Sequence, residues 1–371
     1  MTLEASSRYR RRLRLTGIGV GLAGAALLLA LWLSAPRPAR PPGPELAKLR
    51  EAELRFPAEP ARPLAFPADY GAHPEAAAET WEVVGWVEDR DARGFAFRLS
   101  FARLGLTPNP PRRPSAWATA AAYRALFTLT ELDAGRFRAR ERYQRAALGL
   151  SGADRTRVWV DQWSLQLHPA AFALRGREGD AALALELRPS KPPLIADAAQ
   201  PFRAYFHSRL AVSGTLAAGP ERPVTGSAWL TRAWGRLLPP AGAVALDRIQ
   251  LQLDDGRELL ATQLRRRDGS APPVASGLLV DSQGRVEGLG RDELTLQPTR
   301  YWTSPATRVR YPIRWTLRLP ARGIELRLSA PVEDQEVQGE LRAWSGTVQV
   351  TGNDATQRPL SGVGFVESPG Y

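Results

Sequence analysis

The chain has 371 residues, 44% of them hydrophobic and 24% charged, with a formal net charge of +12 and no cysteine. That length and apolar share exclude wholesale disorder and favour two domains, while the absent cysteines exclude disulfides, thiol catalysis and thiolate metal sites. The positive charge does not point to nucleic acid: apart from Lys48 and Lys191 the cations are arginines, spread mostly along strand-like segments with no interleaved aromatic platform.

At the N-terminus, Arg8, Arg10, Arg11, Arg12 and Arg14 precede an uncharged apolar run from Leu15 to Ala35. The run is long enough to cross a bilayer as a helix, and the basic flank keeps that end in the cytoplasm. Residues 1–35 are therefore read as a signal anchor or a cleaved signal peptide, the anchor being favoured because Pro36 follows Leu33-Ser34-Ala35. Either way the body is expected in the cell envelope, in the periplasm or outside, held by a membrane partner at the inner membrane. Residues 36–65 follow as a Pro-rich spacer and a short amphipathic helix carrying Leu46, Leu49 and Leu54.

From Phe66 onward alternation dominates. Phe95, Phe97, Leu99 and Phe101 alternate with Ala96, Arg98 and Ser100, and the same period recurs in Ile249-Gln250-Leu251-Gln252-Leu253 and in Ile324-Glu325-Leu326-Arg327-Leu328. Turn signals such as Asp133-Ala134-Gly135 and Asp254-Asp255-Gly256 separate the runs. The pattern predicts an all-β protein of antiparallel meanders, either barrels or sandwiches, in two domains at residues 66–232 and 233–371. Arginines between apolar strand positions, as in Leu317-Arg318-Leu319, read as solvated faces.

The segment Thr225-Gly226-Ser227-Ala228-Trp229-Leu230-Thr231-Arg232-Ala233-Trp234, with Phe66-Pro67-Ala68-Asp69-Tyr70-Gly71-Ala72-His73-Pro74-Glu75, Trp302-Thr303-Ser304-Pro305 and the terminal Gly370-Tyr371, resembles the lipocalin-like family of AttH proteins and carotenoid 1,2-hydratases, often labelled secreted hydrolases. The resemblance implies two lipocalin-like β-barrels with a ligand cavity. In that family the first segment reads Thr-Gly-x-Ala-Trp-Leu/Met-Asp-His/Arg-Glu-Trp, so Thr231 and Ala233 stand where acids are expected. A second motif, Glu-Trp-Trp-Tyr-Val-Thr-Gly in the family, reads Glu79-Thr80-Trp81-Glu82-Val83-Val84-Gly85, with Thr80 and Glu82 replacing aromatics. Family-type hydration needs an acid to protonate a double bond and aromatic faces to stabilise the cation. Trp229 and Trp234 keep the aromatic part, but the Thr231 hydroxyl does not protonate an alkene, so whether the chain is an enzyme stays open.

The expected ligand-binding residues are Trp229, Thr231, Trp234, Trp81, Glu79, His73 and His207. For several a structural alternative stands beside the functional one: Trp81 in the core, Glu79 paired with an arginine, and His73 holding its loop. The three histidines lack metal-site spacing and no nucleophile elbow or phosphate loop is present, so no metal, cofactor or hydrolytic site is expected. The leading expectation is a membrane-anchored protein that binds a lipophilic small molecule, with ABC transporter components as partners implied by the resemblance. The alternatives are an isoprenoid hydratase-like or cyclase-like enzyme and a non-catalytic envelope assembly factor.

Overall fold

The computed structural model describes residues 51, 53–60, 62–108, 119–196, 202–237, 244–266, 273–339 and 342–369. The expected membrane helix, the Pro-rich spacer and Gly370-Tyr371 lie outside these residues. Among the described residues no helix is long and apolar enough to cross a membrane.

The chain divides into two compact units, the first reaching Leu238 and taking in Val337–Gly339. The first unit carries β1 (Ala78–Asp89), β2 (Gly94–Gly105), β3 (Ala121–Glu131), β4 (Arg136–Arg145), β5 (Ser151–Ala153), β6 (Arg157–Val160), β7 (Trp163–His168), β8 (Ala171–Glu178), β9 (Ala181–Pro189), β10 (Leu194–Ile195), β11 (Phe202–Ala218) and β12 (Glu221–Gly235). They form one antiparallel sheet in the order β4-β3-β2-β1-β12-β11-β9-β8-β7-β6-β5, with β10 on β11, that curls into a nearly closed barrel. The strand bearing the signature thus runs on to Gly235, past the boundary expected after Arg232.

The free edges of this sheet, β4 and β5, are not joined by a backbone ladder; side chains bridge the seam. Arg142 of β4 donates to Asp161 at 3.2 Å and to Glu178 at 2.6 Å, Gln144 donates to Asp161 at 3.0 Å, and Arg138 donates to Asp180 at 2.5 Å. Charged side chains along β4 also deter edge-to-edge association.

The second unit holds β13 (Val244–Leu253), β14 (Glu258–Arg266), β15 (Val274–Val280), β16 (Val286–Leu289), β17 (Thr295–Thr303), β18 (Arg310–Leu319), β19 (Ile324–Ser329), β21 (Ala343–Asn353) and β22 (Pro359–Pro369), with β20 (Glu336–Val337) at the division between the units. Their order is β16-β15-β14-β13-β22-β21-β19-β18-β17, with β20 on β21, and the sheet makes a half-barrel. Two full barrels were expected; the second is open because its edge strands β16 and β17 do not pair with each other.

Alternation places the cores as expected. Trp81, Val83, Val87, Phe97, Leu99, Phe101, Leu174, Leu185 and Leu230 fill the first barrel, while Ile249, Leu251, Trp315, Leu326 and Val350 line the second. The solvated reading of the strand arginines holds for Arg318 and Arg327, which are exposed. It fails for Arg98, Arg103, Arg232 and Arg248, all buried. Each faces a carboxylate that the opposing strand supplies: Glu82 for Arg98, Glu79 for Arg103 and Arg232, Glu367 for Arg248.

The signature glycine has a packing reason. A Cβ on Gly226 would lie 2.0 Å from the Trp86 carbonyl oxygen and 2.8 Å from the Val87 Cα on β1. Only glycine permits β1 and β12 this approach. Gly226→Ala is expected to cost about 1–3 kcal/mol, as overpacking does, and a denaturant-midpoint measurement checks it. A midpoint equal to that of the unsubstituted protein would show that the strands give way freely.

Candidate functional site

β1 pairs along its whole length with Val224–Gly235 of β12, and strand alternation sorts their side chains onto two faces. Glu79 opposes Trp234, Trp81 opposes Arg232, and Val83 opposes Leu230; this set faces the barrel interior. Thr80 opposes Ala233, Glu82 opposes Thr231, and Val84 opposes Trp229; this set lies on the other face. On β11, Tyr205 stands beside Arg232 and His207 beside Leu230, so both belong to the interior. The strand bulges between His207 and Leu210.

The seven expected residues are therefore divided by the sheet. Glu79, Trp81, Trp234, His73 and His207 come together inside the barrel. Trp229 and Thr231 point away from them, although both are buried. The two altered motifs are cross-strand neighbours: Thr80 and Glu82 sit directly across from Ala233 and Thr231. The positions at which the two motifs depart from the family pattern thus form one patch. Glu82 supplies a carboxylate opposite Thr231, but it is ion-paired to Arg98 at 2.6 Å with both side chains buried.

Inside the barrel, Glu79 is fully buried and takes hydrogen bonds from the His73 amide at 3.0 Å, from Arg103 Nε at 2.8 Å and from Arg232. Burial alone would raise its pKa, but the Arg232 charge, the His73 hydrogen bonds and Arg103 outweigh it and bring the carboxyl down to about 2. Glu79 is a fixed anion here, not an acid. Arg232 also donates to the carbonyls of Gly71 and Ala233, both at 2.9 Å, and Arg103 donates to those of His73 at 2.8 Å and Ala76 at 2.7 Å. These bonds tie the segment before β1 across one end of the barrel.

That segment is held at a second point by Asp69, in the short 3₁₀ turn Ala68–Tyr70. Asp69 accepts both Arg62 Nη atoms, at 2.8 and 2.5 Å, and the Ala65 amide at 2.5 Å. Burial opposes its charge, yet Arg62, Ala65 and His73 hold its pKa below the ordinary carboxylate range. His73 links the two anchors. Its Nδ1 lies 3.2 Å from Arg232, which has no lone pair to offer, so Nδ1 is the acceptor and Nε2 carries the proton donated to Asp69 at 3.1 Å.

The tryptophan faces are occupied. The Arg232 guanidinium lies 4.1 Å from the Trp81 ring and 4.9 Å from that of Trp234, and the His73 ring stacks on Trp234 at 3.9 Å and 4°. A substrate cation has no open indole face at this knot.

Beside it is an aromatic cluster that sequence reasoning only touched. Phe66, Tyr70, Phe172, Tyr205 and His207 pack with ring centroids 4.7–6.0 Å apart. The Tyr205 hydroxyl and the Trp81 indole N–H are buried with no hydrogen-bond partner among the described residues. Burial raises the Tyr205 pKa, so the hydroxyl keeps its proton as a donor. Burial lowers the His207 pKa to about 4, against which a bond at the Lys191 backbone works only weakly. His168, by contrast, caps its own turn on the surface. No group of three or more metal-binding side chains occurs among the described residues.

The sequence profile of the AttH-like family matches residues 57–371. The chain belongs to the AttH-like family. Among solved structures this AttH-like chain is similar to a protein assigned as AttH (NE1406) from Nitrosomonas europaea, at 28% identity and a TM-score of 0.74 over 85% of this chain and 99% of that one. It is also similar to kievitone hydratase from Nectria haematococca, at 15% identity and a TM-score of 0.64 over 83% of this chain and 93% of that one, a likeness of fold. No curated protein sequence matches it.

Proposed function

We propose that the first barrel binds a lipophilic small molecule carrying a hydrogen-bond acceptor, such as a carbonyl or ether oxygen, against Tyr205. The observation that supports this most is the buried Tyr205 hydroxyl without a partner inside an aromatic surround. Leaving such a donor unmet costs about 1–3 kcal/mol, which an acceptor on a ligand removes. Phe66, Tyr70 and Phe172 supply flat apolar surface for the remainder of the ligand. The N-terminal apolar run supports an inner-membrane location with the body exported, and an ABC transporter is the partner that the family resemblance suggests.

Binding is favoured over hydratase-like catalysis by the state of the carboxylates. Glu79 is held ionised by two arginines, Glu82 is spent on Arg98, and Arg232 and His73 occupy the tryptophan faces. Organic extraction of the purified protein followed by mass spectrometry tests the reading, together with titration of a carbonyl-bearing apolar fluorophore such as Nile red. A co-purifying lipophile is expected. Tyr205→Phe is expected to weaken binding about tenfold while leaving the unliganded protein as stable or more so. Binding that is unchanged in Tyr205→Phe, or an empty protein that takes up no probe, would sink the proposal.

A further inference from the structure

The outer wall of the first barrel carries a cavity of about 250 Å³ that is separate from the interior cluster. Its walls follow from the register of four strands. Arg177 of β8 opposes Ala182 of β9, Ala182 opposes Ala217 of β11, and Ala217 opposes Glu221 of β12. One step along, Arg175 opposes Ala184 and Ala184 opposes Thr215. The core-facing neighbours Leu174, Leu183 and Leu216 fix these rows on the outside, since successive side chains alternate across a sheet. The result is a trench with a floor of small side chains, two cations on one wall and an anion on the other.

Most arginines of this unit's sheet are committed to carboxylates, but the side chains of Arg175, Arg177 and Glu221, all exposed, form no hydrogen bond or ion pair among the described residues. Two guanidinium forks two residues apart on one face converge on a single oxyanion better than on two, and Gln162 at the same end adds an amide donor. From β8 to β12 is three inter-strand steps, roughly 14 Å along a flat sheet. Strand side chains stand off the sheet, so the guanidinium and carboxylate ends face each other across a span of that order, which a phosphate, a two-carbon link and an ammonium bridge together. A lone phosphate fills the arginine wall and leaves Glu221 unmet.

We infer that this trench binds a zwitterionic phosphoamine, a phosphate ester joined through two carbons to a primary ammonium, with the phosphate on Arg175 and Arg177, the ammonium on Glu221 and the methylenes over Ala182 and Ala217. The same chemistry occurs as a free metabolite and as a lipid headgroup. The inference is independent of the interior site, because none of its residues faces the barrel core.

Isothermal titration of the full chain with phosphoethanolamine, glycerol phosphate and phosphocholine tests it. Phosphoethanolamine is expected to bind at least about tenfold more tightly than the other two, since glycerol phosphate lacks the ammonium and the quaternary amine of phosphocholine has no N–H for Glu221. Arg175→Gln and Arg177→Gln should each weaken all three ligands. Glu221→Gln should leave glycerol phosphate unchanged and erase the preference. These residues are at the surface, so unchanged melting temperatures separate lost binding from lost folding. Vesicles of phosphatidylcholine with and without phosphatidylethanolamine identify the source: a Glu221-dependent preference for the mixed vesicles marks a lipid headgroup, and binding of the soluble headgroup with no vesicle preference marks a free molecule. Equal affinity for the three soluble ligands, no binding in either format, or binding that survives both arginine substitutions would overturn the inference.

Discussion

Glu79→Gln is expected to destabilise the first unit by about 3–5 kcal/mol, the usual penalty for removing one member of a buried ion pair. The carboxylate sits between Arg232 and Arg103, both buried, and glutamine would turn an amide donor toward donors. A unit of this size should melt roughly 10 °C lower, which calorimetry on the full chain detects. The pH dependence carries a sign of its own. The Glu79 pKa falls from 4.5 to about 2 on folding, so its contribution is fully present above pH 4.5 and is lost as pH drops toward 2. That shift corresponds to about 3 kcal/mol, in line with the pair-breaking penalty. The gap between the two proteins should therefore narrow below pH 4.5. Should the single variant not fold, the double variant Glu79→Gln, Arg232→Met replaces charge with apolar volume and is expected to recover part of the loss. A Glu79→Gln protein within about 1 kcal/mol of the unsubstituted one at pH 7 would show that the knot is not a structural clamp.

The fold was legible because alternation survives in strands such as β7, β8 and β19, and the Phe95–Phe101 run fixes which side of β2 faces the core. Barrel closure was not: whether a seam is shut by a ladder or by Arg142, Asp161 and Glu178 depends on residues far apart in sequence. The candidate site was half legible. The signature reads as one continuous stretch, yet a strand has period two, so Trp234 and Arg232 share a face from which Trp229 and Thr231 are excluded. Arg232 lies between the two positions that depart from the family pattern, and its spacing from Trp234 alone puts both on one side of β12. Tyr205 carried no motif at all. That Thr80 and Glu82 meet Ala233 and Thr231 needed the β1–β12 register, which no local pattern specifies.

The same register makes the changed patch a coherent unit. Thr231 on β12 faces Glu82 on β1, where the family pattern has an acid facing an aromatic, and Arg98 on the next strand pairs with Glu82. The ion pair with Arg98 ties up that carboxylate, which is the physical ground for placing binding ahead of hydration.

His207 should impose a pH dependence of its own at higher pH. Its ring is 1% exposed among Tyr70, Phe172 and Tyr205, and burial lowers its pKa from 6.5 to about 4. Between those values the unfolded chain binds a proton that the folded chain refuses, so stability rises with pH across the window. Its full contribution is present above pH 6.5 and is lost as pH falls to about 4, a change of about 3 kcal/mol. His207→Gln, similar in size and without the titration, is expected to flatten the curve between pH 4 and 6.5 and to leave the steeper acid limb of Glu79 in place below it. Denaturant midpoints for both proteins at pH 4.5, 5.5, 6.5 and 7.5 measure the difference. Parallel curves would mean that His207 binds its proton equally well in the folded and unfolded chain, against the burial argument. The neutral imidazole bears on function as well: well above pH 4 neither the Tyr205 nor the His207 ring is charged, so a lipophilic ligand enters without displacing an ion, and its affinity should stay flat as pH falls toward about 4, where His207 titrates in the folded protein.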